Sequence, residues 1–116
     1  MAIATDRELV TQAALDYFEG WFDGDVEQMD RALHRDLVKR CAGEELGVTT
    51  KERMLELTRE GAGREDAADR SLEVVVEDVA GEIASVTVRS AVYYEYLQLV
   101  RTSAGWKIAN ALWKPV

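Results

Sequence analysis

Apolar positions along the chain follow two different periods. Thr5 with Glu8 three residues later has the spacing of a capping box, in which hydroxyl and carboxylate satisfy free amides at a helix start. Leu9, Val10, Ala13, Ala14, Tyr17, Phe18 and Trp21 then recur at three- and four-residue steps, which predicts one broad helical face until Gly20 and Gly24 loosen the chain. Asp25 and Gln28 repeat the cap spacing before Val26, Met29, Ala32 and Leu33, so a second, shorter helix ends before His34 and forms a hairpin with the first. Leu37, Val38 and Cys41 alternate poorly and read as a short edge strand or a strand entering a sheet. Thr49 and Glu52 mark a third cap, followed by Met54, Leu55 and Leu57 on one face and Gly61 at the position just past the helix end. The stretch 61–70 lacks periodicity and reads as a solvated, mobile connection.

From Leu72 onward the period falls to two. Runs at 72–79, 83–94, 95–102 and 106–113 are rich in β-branched and aromatic residues, with turn signals at Ala80-Gly81 and Ser103-Ala104-Gly105. Helices first and strands afterwards predict an α+β domain spanning 1–116, with three N-terminal helices packed on a curved antiparallel sheet.

Composition narrows the function. The chain has 116 residues, 47% hydrophobic and 31% charged, enough for one packed core. Its net charge of −8 repels nucleic acid and anionic lipid, so neither is an expected partner. One cysteine and one histidine cannot build a disulfide framework or a multi-ligand zinc site, and no metal or cofactor is expected. The N-terminal residues form no apolar signal core, and no run approaches the roughly 18 apolar residues of a membrane span. The reading is of a soluble, cytoplasmic protein.

Several segments carry a resemblance: Glu19-Gly-Trp-Phe-Asp-Gly-Asp25, Met29, Ala32-Leu-His-Arg-Asp-Leu-Val-Lys-Arg40, Tyr96-Leu-Gln-Leu-Val100 and Gly105-Trp-Lys-Ile-Ala-Asn-Ala-Leu-Trp113. Together they resemble the putative lumazine-binding family of small bacterial proteins, within the nuclear transport factor 2-like, or ketosteroid isomerase-like, superfamily. Arg35 departs from the pattern, since similar sequences carry proline there. The resemblance implies a cone, with helices in the concave side of a bent, cystatin-like sheet, a pocket at the wide end and a dimer through the outer sheet face. It does not fix the chemistry, because this fold hosts both enzymes and binding proteins.

Candidate site residues follow from facing and chemistry. Tyr17 and Trp21 lie four apart and share a helix face, offering a phenol and an indole on an apolar wall to which Met54 and Leu57 add. Tyr96, Gln98 and Asn110 bring hydroxyl and amide groups from the last strands, and Asn110 has the parity of Trp106, Ile108 and Leu112. His34 is a polar wall residue, a helix-end cap or an acid–base group, with Asp36 as its nearest partner in an extended segment. Glu95, between Tyr94 and Tyr96, is the one strand acid set among aromatics, whereas Glu73 and Glu77 fall on an outer face. Cys41 reads as a small half-buried residue. The leading expectation is binding of a small apolar or aromatic ligand in the cone. The alternatives are a SnoaL-like isomerase, dehydratase or cyclase using His34 and Asp36, and a structural dimer without ligand. Apolar residues on both parities of the last strands predict a homodimer through the sheet.

Overall fold

The computed structural model describes residues 3–116; Met1 and Ala2, the first two residues of the segment read as lacking a signal core, lie outside it. Helix α1 runs Asp6–Asp23, with the Thr5 hydroxyl accepting from the Glu8 amide at 3.2 Å. It ends at Gly24, whose φ of 66° is a left-handed conformation that glycine adopts without steric cost. Helix α2, Val26–Ala32, is capped by Asp25, which accepts from the Gln28 amide. The predicted third cap is displaced by one residue. Thr49 belongs to a strand, and Thr50 caps α3, Lys51–Arg59, by accepting from the Arg53 amide.

The six strands are β1 Leu33–Cys41, β2 Gly47–Thr50, β3 Leu72–Ala80, β4 Ile83–Ser90, β5 Tyr93–Thr102 and β6 Gly105–Pro115. They lie in the order β2-β1-β6-β5-β4-β3. Two expectations need correction here. β1 is a nine-residue interior strand, not an edge, and it pairs parallel with β6, so the sheet is only mostly antiparallel. The run 83–94 is broken after Ser90. That hydroxyl accepts from the amides of Val92 and Tyr93, making a turn with no glycine to announce it.

All helices cover one face of the sheet. Val10, Phe18 and Phe22 of α1, Met29 of α2 and Met54 of α3 are buried against Leu33, Leu37, Val86, Val88, Leu97, Leu99 and Ile108. Register shifts in the β1–β6, β3–β4 and β5–β6 ladders are of the kind that bends strands, which suits a sheet wrapped around its helices. The stretch after α3 is also ordered. A 3₁₀ turn at Ala62–Asp66 buries Gly63 against Trp21, so this part is a packed turn and not a solvated connection, while 68–70 are irregular and exposed as the composition predicts. Among the described residues no helix is long and apolar enough to cross a membrane.

Candidate functional site

Strand parity brings two ionisable side chains into the space between helices and sheet. On β1, Lys39 shares the buried face of Leu37, two residues away, and Lys39 is itself only 9% exposed. On β5, Glu95 shares a face with Leu97 and Leu99 and is 2% exposed. Their partner comes from α1, whose Tyr17 points from the helix toward the sheet. The Tyr17 hydroxyl donates to the Glu95 carboxylate, with contacts of 3.2 and 3.1 Å to its two oxygens, and accepts a short hydrogen bond from Lys39 Nζ. The same ammonium lies 3.6 Å from Glu95 Oε1. Lys39, Tyr17 and Glu95 thus form a buried chain of donor, relay and acceptor.

Aromatic rings enclose the cationic end of this chain. Lys39 Nζ sits 5.3 Å from the ring centre of Trp113 and 5.8 Å from that of Trp21, within the range of cation–π attraction, while Tyr17 meets it at the hydroxyl edge of its ring. An ammonium has three N–H donors, and Tyr17 and Glu95 engage only that side of it. A cavity of about 100 Å³, partly open to solvent, adjoins the group; Tyr17, Trp21, Lys39, Met54, Leu57 and Glu95 line it, with Phe18, Thr49, Tyr93 and Trp113. Among the described residues the buried Trp21 Nε1 has no partner in hydrogen-bonding geometry.

Burial dominates the electrostatics of the site. Desolvation raises the Glu95 carboxyl above the usual carboxylate range, against the opposing pull of the Lys39 charge and the Tyr17 hydrogen bond. The Tyr17 phenol is pushed well above its ordinary value by the same burial and then by the neighbouring Glu95 charge. Tyr93 is pushed up to about 12, first by burial and then by its hydrogen bond to Asp66, while the nearby Trp21 indole pulls the other way.

Of the residues expected from sequence, Tyr17, Trp21, Met54 and Leu57 share this cavity wall. The others do not. Tyr96 is 55% exposed on the opposite face of the sheet, because it alternates with Glu95 and Leu97. Asn110 is exposed there too and donates to Gln98 at 3.1 Å. Its predicted parity fails because the β5–β6 register shifts: Leu99 faces Ile108 but Gln98 faces Asn110, leaving Ala109 as an extra residue that turns Asn110 and Leu112 outward and Trp113 inward. His34 lies away from the cavity, in a separate polar cleft with Arg31, Arg35, Lys51 and Lys107. Its Nδ1 accepts from the Asp36 amide at 3.0 Å, so the ring neither caps α2 nor reaches the Glu95 chain, and Asp36 is exposed. Two residues of this chain are not marked as a site by the sequence reading: Lys39, which carries no motif, and Glu95, which stands out only as the strand acid set among aromatics. The signal for both is parity, since each lies two residues from a buried leucine and shares its face.

Among the described residues no three His, Cys, Asp or Glu side chains gather where they could hold a metal ion. A comparison with curated proteins finds no match. Solved structures share the fold at low identity. A nuclear transport factor 2-like protein of unknown function from Silicibacter pomeroyi DSS-3 is 15% identical, with 97% of this chain and 100% of that one covered at a TM-score of 0.73. A second, from Shewanella baltica OS155, is 11% identical over 100% and 98% of the two chains at 0.75. A ketosteroid isomerase-like protein from Erwinia carotovora atroseptica SCRI1043 is 16% identical over 93% and 94% at 0.63. The sequence profile described as putative lumazine-binding matches residues 5–114, nearly the whole length, and the chain belongs to that family within the nuclear transport factor 2-like fold.

Proposed function

We propose that this protein binds a small flat ligand bearing a carbonyl or carboxylate edge in the cavity between α1, α3 and the sheet. The observation that carries this reading is the buried Lys39 ammonium, held from one side by Tyr17 and Glu95 and walled by Tyr17, Trp21 and Trp113. A ligand oxygen would take the remaining N–H, and a flat ring would lie along the aromatic walls. The family description supports the same chemistry, since lumazine is a flat ring system with carbonyl edges. The cavity, about 100 Å³, is smaller than the ~150 Å³ that encloses benzene, so a ring enters edge first with its polar edge on Lys39 and its remainder in the mouth.

The test is a tryptophan fluorescence titration with lumazine and with benzamide, a single-ring carbonyl probe. Saturable quenching is expected, weakened roughly tenfold or more in Lys39→Met, as loss of a charge-assisted hydrogen bond predicts. Equal affinity in the variant, or no binding by the wild type, refutes the reading. The same proposal includes a homodimer through the outer sheet face, supported by the exposed apolar side chains of Leu46, Val48, Tyr96 and Leu112.

A further inference from the structure

Lys39 differs from the other lysines of the chain in kind. Lys51 is tied to Asp30 at 2.9 Å and to the Leu33 carbonyl, Lys107 donates to the Arg31 carbonyl, and Lys114 is exposed. Lys39 alone is buried, faces a cavity, and hydrogen-bonds a hydroxyl that itself leads to a carboxylate. From this geometry we infer that Lys39 is a nucleophilic amine that condenses with small aldehydes or ketones entering the cavity, forming an imine. The inference deepens the binding reading and rests on it.

The Lys39–Tyr17–Glu95 chain supplies the proton traffic that such a reaction needs. An ammonium has no lone pair and cannot attack. Here its proton can pass to the Tyr17 oxygen as that hydroxyl gives its own proton to Glu95, which leaves a neutral amine and a neutral carboxylic acid. In water that transfer is uphill. In the buried site it removes two charges that the low-dielectric surroundings disfavour, so its cost is smaller. The polar and aromatic groups facing Lys39 are Tyr17 from α1, Glu95 and Tyr93 from β5 and the uncharged Trp21 and Trp113, so among the described residues no second cation lines the cavity to oppose the iminium that results.

The bonds balance without an oxidant or reductant. The amine lone pair attacks the carbonyl carbon while the C=O π pair moves to oxygen. One proton leaves nitrogen for that oxygen, giving a carbinolamine. Glu95 then returns its proton through Tyr17 to the hydroxyl, which departs as water as the nitrogen lone pair forms C=N. The sum is ammonium plus carbonyl to iminium plus water, with Glu95 again ionised. The iminium keeps the tryptophan faces that flanked the ammonium, and those walls limit access of the water that would reverse the step.

The experiment uses the full chain, benzaldehyde as the probe and sodium cyanoborohydride to reduce any imine to a stable benzylamine, read by intact mass and peptide mapping. The expected result is one benzyl group, on Lys39, installed at least about a hundredfold faster than on Lys51, Lys107 or Lys114, the lower end of the rate gain that positioned acid–base catalysis supplies. Tyr17→Phe, checked for native near-ultraviolet dichroism, is expected to slow labelling of Lys39 by a similar factor and leave the surface lysines unchanged. Wild-type labelling spread over the surface lysines with none at Lys39 overturns the inference. Benzamide, flat but unable to form an imine, is titrated in parallel. Benzamide bound with Lys39 unlabelled sinks the covalent step alone, whereas benzamide unbound and Lys39 unlabelled sinks the binding reading as well.

Discussion

Two opposing influences act on Glu95, and their contest can be read in solution. Burial disfavours its charge, while Lys39 and Tyr17 favour it, and burial is the larger, so the carboxyl titrates above its ordinary value of 4.5. The native state therefore holds this proton more tightly than the unfolded chain does. The associated stability is fully present below pH 4.5 and is lost as pH rises through the raised folded value. Comparing wild type with Glu95→Gln by urea denaturation across this range isolates the effect, because other carboxylates are common to both. Wild-type stability relative to the variant is expected to fall with rising pH and then level off. A relative rise would mean that the ion pair with Lys39 outweighs desolvation. Little of this was visible in the sequence, although the parity of Glu95 with Leu97 and Leu99 was there to be used. Lys39, beside Arg40 and close to Arg35 and Asp36, looked like one of several surface charges.

Elements whose ends are set by local chemistry were legible, and those set by distant contacts were not. The caps at Thr5 and Asp25 follow from side chains three residues from their amides, and the structure has both. Thr49 and Thr50 compete for one cap; both pair with β1, Thr49 with Lys39 and Thr50 with Val38, and the cap falls to Thr50, the strand's last residue, so the choice is set by where a distant strand ends the pairing. The bulge at Ala109 and the 3₁₀ turn at Ala62–Asp66 have no local signature at all. The turn owes its order to Gly63, where a Cβ would come 2.2 Å from the Trp21 carbonyl oxygen and 2.6 Å from its ring carbons. Gly63→Ala must therefore push the turn off α1 and disturb the Trp21 wall of the cavity. A loss of about 1–3 kcal/mol is expected, the usual range for overpacking. It should appear as a lower urea midpoint with an unchanged slope and a shift in tryptophan emission. A midpoint equal to wild type would show that the turn can move away from Trp21 at no cost.

At the scale of the molecule, one sheet face is covered by helices and the other is bare. On the bare face Tyr96 and Leu112 stand across the β5–β6 ladder as direct partners, with Leu46 beside them at the shallow hollow and Val48 farther along on edge strand β2. Alternation in an antiparallel sheet usually places polar residues on an uncovered face, so this apolar group is unspent. A second copy would cover it with its own equivalent, since a twofold interface presents the same patch from both sides. Charge works against that pairing, because each chain carries −8 and two chains repel at long range. Salt screens the repulsion and leaves apolar burial intact, so the dimer should tighten as ionic strength rises, opposite to an interface held by ion pairs. Sedimentation equilibrium at low and high salt is the measurement. The expected outcome is a dimer at micromolar concentration, stronger in high salt, and a monomer for Tyr96→Lys combined with Leu112→Lys. Both substitutions lie on the exposed face, so near-ultraviolet dichroism and ligand quenching in the cavity should survive them. A wild type that sediments as a monomer at all salts, or a doubly substituted chain that still dimerises, would move the interface off this face.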